Sequence, residues 1–152
     1  MKILGIDKVL TFPFLRGFVW MIGVNLILSC DPSESLDALL ENATDSDLKI
    51  HFISAILLSE FIDNAEIINV ESMDSQDYPR IGVAEGIGRA GLSLSVFDSI
   101  YISNNANEIL KIYKPDTPGK NIYNIDQYWT VRETGKNHFE YTYTITDEDI
   151  GS

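Results

Sequence analysis

Few side chains in this sequence have the types and spacings that carry out chemistry. The segment Gly86–Gly91 fits the pattern G-x-G-x-x-G, in which backbone amides at the start of a helix hold a pyrophosphate. Leu92, Leu94 and Val96 alternate with serines after it, which is typical of a strand rather than a helix. We therefore favour a glycine-rich turn or strand bend over a dinucleotide site.

The two histidines give no catalytic or metal signature. His51 lies in a predicted helix and is expected to be a satisfied residue at its edge. His138 and Glu140 share one strand face, where an acid–base or metal pair is conceivable, but two solvated side chains at a hairpin end are favoured. The spacings typical of zinc sites and of calcium loops are absent, so Asp74 and Asp77 do not predict a metal site.

No serine lies in a G-x-S-x-G segment, and no nucleophile–base pair can be named. We therefore predict no catalytic residue, no cofactor and no metal, and we expect a protein that is not an enzyme. An envelope enzyme remains the least favoured alternative.

The N-terminal region contains an apolar run without charge from Gly17 to Cys30, preceded by Lys2, Lys8 and Arg16. This order is typical of a secretory signal peptide. A spanning helix needs about 20 apolar residues, whereas only 12 lie between Gly17 and Leu28. A retained helix and ordinary secretion remain alternatives.

The segment Leu26-Ile-Leu-Ser-Cys30 resembles the lipobox of bacterial lipoproteins. In that family the bond before the cysteine is cut, and its sulfur and new amino group are acylated, with palmitate as a typical chain. The resemblance implies a signal peptide at 1–29, a lipidated Cys30 and a short tether at 30–34. Asp31 resembles the signal that retains enterobacterial lipoproteins in the inner membrane. The expected location is the periplasmic face of that membrane, or else the outer cell surface.

The charge balance is strongly acidic, with 23 acidic and 11 basic residues. Loss of residues 1–29 removes one acid and three bases and leaves 22 acids against 8 bases. Nucleic acid is therefore not an expected partner, because phosphate binding needs a basic surface. Solubility is one explanation of the charge, and steering toward a basic protein is the other. With one cysteine there is no internal disulfide, so the core alone must hold the fold.

The hydrophobic periodicity predicts an α+β fold, with two N-terminal helices followed by an antiparallel sheet of about five to seven strands. The first helix is predicted over 35–42, with Leu36, Leu39 and Leu40 on one face. The second is predicted from Leu48 to Asn64 as the core helix, with Phe61 among its buried residues. A single domain is expected over 35–146, followed by a solvated acidic tail at 147–152.

Alternating residues predict the strands. They are expected at 67–70, 80–84, 92–96 continuing to 102, 108–113 and in a C-terminal hairpin. In the hairpin the loop Gly135–Asn137, with Asn137 in the left-handed region, sets the pairing. It places Val131 opposite Tyr141, Trp129 opposite Tyr143, and Arg132 opposite Glu140 on the other face.

The expected function is binding of another protein by a membrane-anchored, monomeric lipoprotein. One specific form is an inhibitor or immunity protein against a cell-wall-degrading enzyme, and the alternative is a structural or assembly lipoprotein. The sequence contains seven tyrosines, a residue favoured at interfaces. The predicted partner-binding residues are Tyr128, Arg132, Glu140, Asp74 and Asp77.

Overall fold

A computed structural model describes residues 33–86 and 88–151 of the chain. The predicted signal peptide, the lipidation site Cys30 and Asp31 lie outside these residues. The described part consists of ten strands, two one-turn helices and one 3₁₀ turn. The strands are β1 (Ser35–Asn42), β2 (Leu48–Ile53), β3 (Ala65–Val70), β4 (Ser75–Asp77), β5 (Val83–Ala84), β6 (Gly91–Leu92), β7 (Ser99–Asn104), β8 (Ile109–Tyr113), β9 (Thr130–Gly135) and β10 (His138–Ile145). The helices are α1 (Ile125–Tyr128) and α2 (Asp147–Ile150), and the 3₁₀ turn is Ile62–Asn64.

The strands form two four-stranded sheets and a small ribbon. Sheet one has the order β4-β1-β10-β9, sheet two has the order β3-β2-β7-β8, and β5 pairs with β6. Every pair is antiparallel except β1 with β10, which runs parallel from Ser35 opposite His138 to Asn42 opposite Ile145. The first and last strands of the described domain are therefore neighbours in one sheet.

The hydrophobic core lies between the inner faces of the two sheets. In β1 the residues Leu36, Ala38 and Leu40 are buried, as the two-residue period of a half-buried strand requires. Sheet two contributes buried residues from β2, β7 and β8 to the same cluster. The rings of Tyr113 in β8 and Tyr143 in β10 meet edge to face, with centroids 6.3 Å apart. In the described residues no buried side-chain polar atom lacks a hydrogen-bond partner.

The predicted α+β class is wrong, because both predicted N-terminal helices are strands. Residues 35–42 satisfy a helical spacing through Leu36, Leu39 and Leu40, but they form β1 between β4 and β10. Hydrogen bonding to a strand on each side overrides the local helical preference. Leu39 consequently lies half-buried on the outer face instead of in the core.

The predicted core helix is also absent. Leu48–Ile53 is the strand β2, which is paired on both edges. Leu48, Ile50 and Phe52 face the core, and the outer-face residues between them include His51, which is also buried, so the burial pattern is not a clean alternation. The chain then turns, and Ile56, Leu57 and Phe61 are at least half exposed. Asp63 and Asn64 adopt positive φ angles of 59° and 52°, which end any helix before β3.

Several predicted strands are confirmed. The segments 67–70, 100–102 and 108–113 coincide with β3, β7 and β8. The segments 80–84 and 92–96 are reduced to the two-residue strands β5 and β6.

The hairpin register is confirmed for Val131 opposite Tyr141 and Arg132 opposite Glu140, and Asn137 has the expected positive φ of 58°. Trp129 lies just before β9, so it does not pair with Tyr143 in the sheet. The Trp129 ring nevertheless packs against the Tyr143 ring, with ring centroids 5.5 Å apart.

The acidic C-terminal segment is not the solvated end that we expected. Asp147–Ile150 forms α2, in which Asp149 and Ile150 are buried. The Asp149 carboxylate accepts hydrogen bonds from the Thr146 backbone amide and hydroxyl, and it pairs with Lys120 Nζ at 2.5 Å. Gly151 ends the turn at φ 73°, where a residue without Cβ is favoured.

Candidate functional site

The outer face of sheet one brings three of the five predicted partner-binding residues together. Arg132 and Glu140 are directly opposite each other and form an ion pair at 2.7 Å. Asp77 in β4 pairs with Leu39, so its side chain lies on the same face. Asp74 lies in the turn before β4, where its backbone carbonyl accepts a hydrogen bond from the Asn42 amide.

Tyr128 does not belong to this face. It ends α1 and packs, half-buried, against the core. Only the other four predicted residues therefore lie on or beside one surface.

Four carboxylates lie on this surface, which we call the acidic face and define by Asp37, Glu41, Asp77 and Glu140. The first two lie four positions apart on β1, so their side chains are on the same face and directed away from the core. Glu41 Oε2 accepts a hydrogen bond from the Thr144 hydroxyl at 2.5 Å. The acidic face thus spans β4, β1 and β10, and Arg132 next to it is already paired with Glu140.

A chain of hydrogen bonds crosses from β10 to β1 at one end of this face. Ser35 Oγ lies 2.7 Å from His138 Nδ1, and His138 Nε2 lies 3.0 Å from Asp37 Oδ2. An ionised carboxylate only accepts hydrogen bonds. A neutral imidazole that satisfies both partners must therefore carry its proton on Nε2, donate to Asp37, and accept at Nδ1 from the Ser35 hydroxyl.

Arg80 and Glu85 support this chain from the segment between β4 and β6. Arg80 lies 3.6 Å from Asp37 and 2.5 Å from Glu85, measured between guanidinium nitrogen and carboxylate oxygen. Glu85 Oε1 accepts the Leu36 backbone amide at 2.9 Å. That hydrogen bond, together with the charge of Arg80, holds the pKa of Glu85 below its usual range. The carboxylate therefore stays ionised and fixes the segment against β1.

A groove of about 420 Å³ opens beside Asp37 and Arg80. Its lining residues are Leu36, Asp37, Ala38, Asp77, Tyr78, Pro79, Arg80 and Val83. The Tyr78 hydroxyl donates to the Ile81 carbonyl, and burial raises the pKa of this phenol. Tyr78 is therefore a neutral wall residue, and the charged groups of the groove are Asp37, Asp77 and Arg80.

Sequence reasoning missed Ser35 and Asp37 because it placed them in a helix. It favoured a solvated His138 beside Glu140 at the hairpin end, whereas the structure bonds His138 to the two β1 residues. The ion pair of Glu140 with Arg132 does follow the predicted hairpin register. Parallel pairing between two strands more than ninety residues apart leaves no local mark in the sequence. The only available signal was the alternation of Leu36, Ala38 and Leu40.

The glycine-rich segment is a turn, as favoured. Gly86 and Gly88 have φ angles of 127° and 104°, and Gly91 begins β6. No helix starts at the described residues of this segment, 86 and 88–91, so their backbone amides are not presented to a pyrophosphate. The segment instead lies beside β1, because Glu34 bridges to Gly86 and the Glu34 amide donates to the Gly88 carbonyl at 3.2 Å.

The outer face of sheet two has a different character. Ile67, His51, Tyr101 and Ile112 lie opposite one another across its four strands, and we call them the apolar row. The His51 ring stacks on Tyr101 at 4.1 Å, and its Nε2 lies 2.9 Å from Ser103 Oγ. Burial, with a smaller effect of Lys49, lowers the pKa of His51. His51 is therefore a satisfied structural residue, although it lies in a strand and not in the predicted helix.

Within residues 33–86 and 88–151, no three His, Cys, Asp or Glu side chains converge as metal ligands would. The described part of the chain also has no helix of the length and apolarity needed to cross a membrane. Comparison of the chain with protein-family models, with curated proteins and with solved structures found no match.

Proposed function

We propose that the protein is a membrane-anchored lipoprotein of the bacterial envelope, attached through Cys30, whose β domain binds a basic protein. The observation that carries the proposal is the acidic face, where carboxylates from β1, β4 and β10 share one side of sheet one. This face complements a basic surface. The excess of acidic over basic residues in the whole chain makes the electrostatic potential around it more negative.

The acidic face is suited to a protein target more than to a small ligand. It is the solvent side of a sheet, so it offers a broad surface bordered by the groove beside Asp37. Asp77 is exposed on β4, at one edge of this sheet. A basic cell-wall-degrading enzyme, blocked by an inhibitor or immunity protein, is a target with the required charge.

The supporting experiment compares variants that differ only in where charge is removed. Asp77→Asn together with Glu41→Gln removes two charges from the acidic face, whereas Asp116→Asn with Glu108→Gln removes two exposed charges elsewhere. The partner is first captured by cross-linking in native envelopes, and binding is then measured by surface plasmon resonance. We expect the first pair to weaken binding at least about tenfold more than the second. Equal effects would contradict the acidic face as the binding surface.

The apolar row supports one alternative, a structural or assembly lipoprotein. Ile67 and Ile112 are each about half exposed on the outer face of sheet two. A partner in a stable envelope complex would cover such apolar side chains. In that case Ile112→Ser would remove the protein from its complex in native membranes, and the charge variants would not.

A further inference from the structure

We propose that Ser35 is an activated nucleophile that reacts with small esters, with His138 as its base and Asp37 as a positioning residue. The three residues are joined in the order required for acyl transfer, by contacts of 2.7 Å and 3.0 Å. Ser35 and Asp37 are two positions apart on β1, so both side chains lie on the outer face. His138 is directly opposite Ser35 on β10.

The carboxylate determines which imidazole nitrogen can accept a proton. Asp37 accepts the hydrogen on Nε2, and this leaves the lone pair of Nδ1 directed at the Ser35 hydroxyl. Serine hydrolases have the same three-residue arrangement, but there the carboxylate accepts from Nδ1–H and the serine hydroxyl donates to Nε2. The Ser103–His51 pair provides an internal comparison. Its contact is 2.9 Å, but its serine is buried, and among the residues that the structure describes no carboxylate hydrogen-bonds its histidine.

The reaction balances as ester plus water giving acid plus alcohol. Ser35 Oγ attacks the carbonyl carbon and transfers its proton to His138 Nδ1, and the carbonyl π electrons move onto oxygen. Collapse of this intermediate breaks the bond to the leaving oxygen, which takes the proton from Nδ1. Water, deprotonated by His138, then attacks the acyl-Ser35 ester, and the released serine oxygen recovers the proton.

Neighbouring groups limit the substrate and the rate. The backbone amides of Ser35 and Leu36 already donate to the Asn137 carbonyl and to Glu85, so neither can stabilise an oxyanion. An oxyanion donor contributes about 10²–10³-fold in rate, and we therefore expect slow turnover of activated esters. The groove beside Asp37 is lined by two carboxylates, Asp37 and Asp77, and by one cation, Arg80. This excess of negative charge favours neutral or cationic esters over anionic ones.

The experiment uses the full-length protein in detergent, labelled with a fluorophosphonate and assayed with p-nitrophenyl acetate. Mass spectrometry should locate the label on Ser35, and p-nitrophenol should appear as a burst. Ser35→Ala should abolish both signals, and His138→Gln should slow labelling about 10²-fold, as loss of a general base does. Ser93→Ala and Ser103→Ala are the controls and should leave the label in place.

The positioning role of Asp37 has its own readout. Long-range ¹H–¹⁵N spectra should show the Nε2–H tautomer of His138 in the native protein, and Asp37→Asn should shift it toward the Nδ1–H tautomer. A melting curve for each variant shows that the domain is folded.

The proposal is overturned if Ser35 is labelled no faster than Ser93, or if labelling is insensitive to His138→Gln in a folded variant. Partner binding is measured separately, in the Asp77 and Glu41 variants. Either proposal can therefore be contradicted without affecting the other.

Discussion

Ser35 and His138 are 103 positions apart in the chain, and the Oγ of one lies 2.7 Å from the Nδ1 of the other. This contact follows from the parallel pairing of β1 with β10, which aligns the two residues at the same register position. The acidic face and the Ser35–His138–Asp37 chain therefore both require the two ends of the described domain to be folded together.

The position of the core is tested by two aromatic residues that sequence periodicity placed inside. Trp129 is 6% exposed and its indole N–H donates to the Ile122 carbonyl, whereas Phe61 is 53% exposed. Trp129→Ala should lower the free energy of unfolding by about 3–5 kcal/mol. Phe61→Ala should cost less than about 1 kcal/mol. Urea denaturation followed by fluorescence or circular dichroism gives both free energies. Equal losses in the two variants would instead support the core helix predicted from Leu48 to Asn64.

This contrast shows what the sequence could and could not predict. The β9–β10 hairpin was predictable because its register depends on alternation and on a turn residue, Asn137, that tolerates positive φ. The strands β1 and β2 were not predictable in the same way. Leu36, Leu39 and Leu40 fit a helix as well as a strand, and only pairing with distant strands decides between them.

The candidate site was predictable only in part, for the same reason. Arg132 and Glu140 were placed correctly because they face each other within one hairpin. Ser35 and Asp37 meet His138 through a long-range parallel pair, and Tyr128 was assigned to the surface from its residue type alone. A residue type predicts how a side chain can interact, but the sheet topology determines its neighbours.

The ion pair of the buried Asp149 with the partly exposed Lys120 should stabilise the C-terminal turn. Lys120 Nζ also donates to the Thr144 carbonyl, so it links α2 to β10. Asp149→Asn removes the charge from a nearly buried group, and we expect a loss of about 1–3 kcal/mol in the free energy of unfolding. Asp147→Asn, on the exposed side of the same helix, is the matched control and should change it by less than about 0.5 kcal/mol. A stability unchanged by Asp149→Asn would contradict the structural role of this pair.

The raised pKa of Tyr113 predicts how the free energy of unfolding changes at alkaline pH. Burial raises its pKa to about 12, and it also raises that of Tyr143, whose hydroxyl donates to Tyr113 at 3.3 Å. An unfolded tyrosine ionises near pH 10. The unfolded state therefore loses its proton first, so stability is complete below about pH 10 and falls as the pH rises toward 12.

The measurement is urea denaturation at intervals between pH 9 and pH 11.5. Each buried tyrosine contributes a slope of up to about 1.4 kcal/mol per pH unit in the upper part of this range. Tyr113→Phe should make the decline shallower, whereas Tyr101→Phe, on the outer face of sheet two, should leave it unchanged. The same decline in all three proteins would argue against a buried tyrosine pair.

Lipidation at Cys30 predicts a specific change in the mature protein. Cys30→Ser should abolish incorporation of radiolabelled palmitate and leave an uncleaved precursor, because the modified sulfur is lost. Several acyl chains hold a protein firmly, since each buried CH₂ contributes about 0.8 kcal/mol. Mass spectrometry of the native N-terminus provides the check. An unacylated first residue, or an intact Met1 segment, would exclude the anchor.

The association rate of the captured partner at low and near-physiological salt is the most direct test of the central claim. If the acidic face steers a basic partner, this rate should fall several-fold as salt shortens the Debye length to about 8–10 Å. Dissociation should change less, because short-range contacts govern it. The Asp77→Asn, Glu41→Gln protein should associate more slowly at low salt and respond less to salt. An association rate indifferent to salt, or a partner that is itself acidic, would contradict the account.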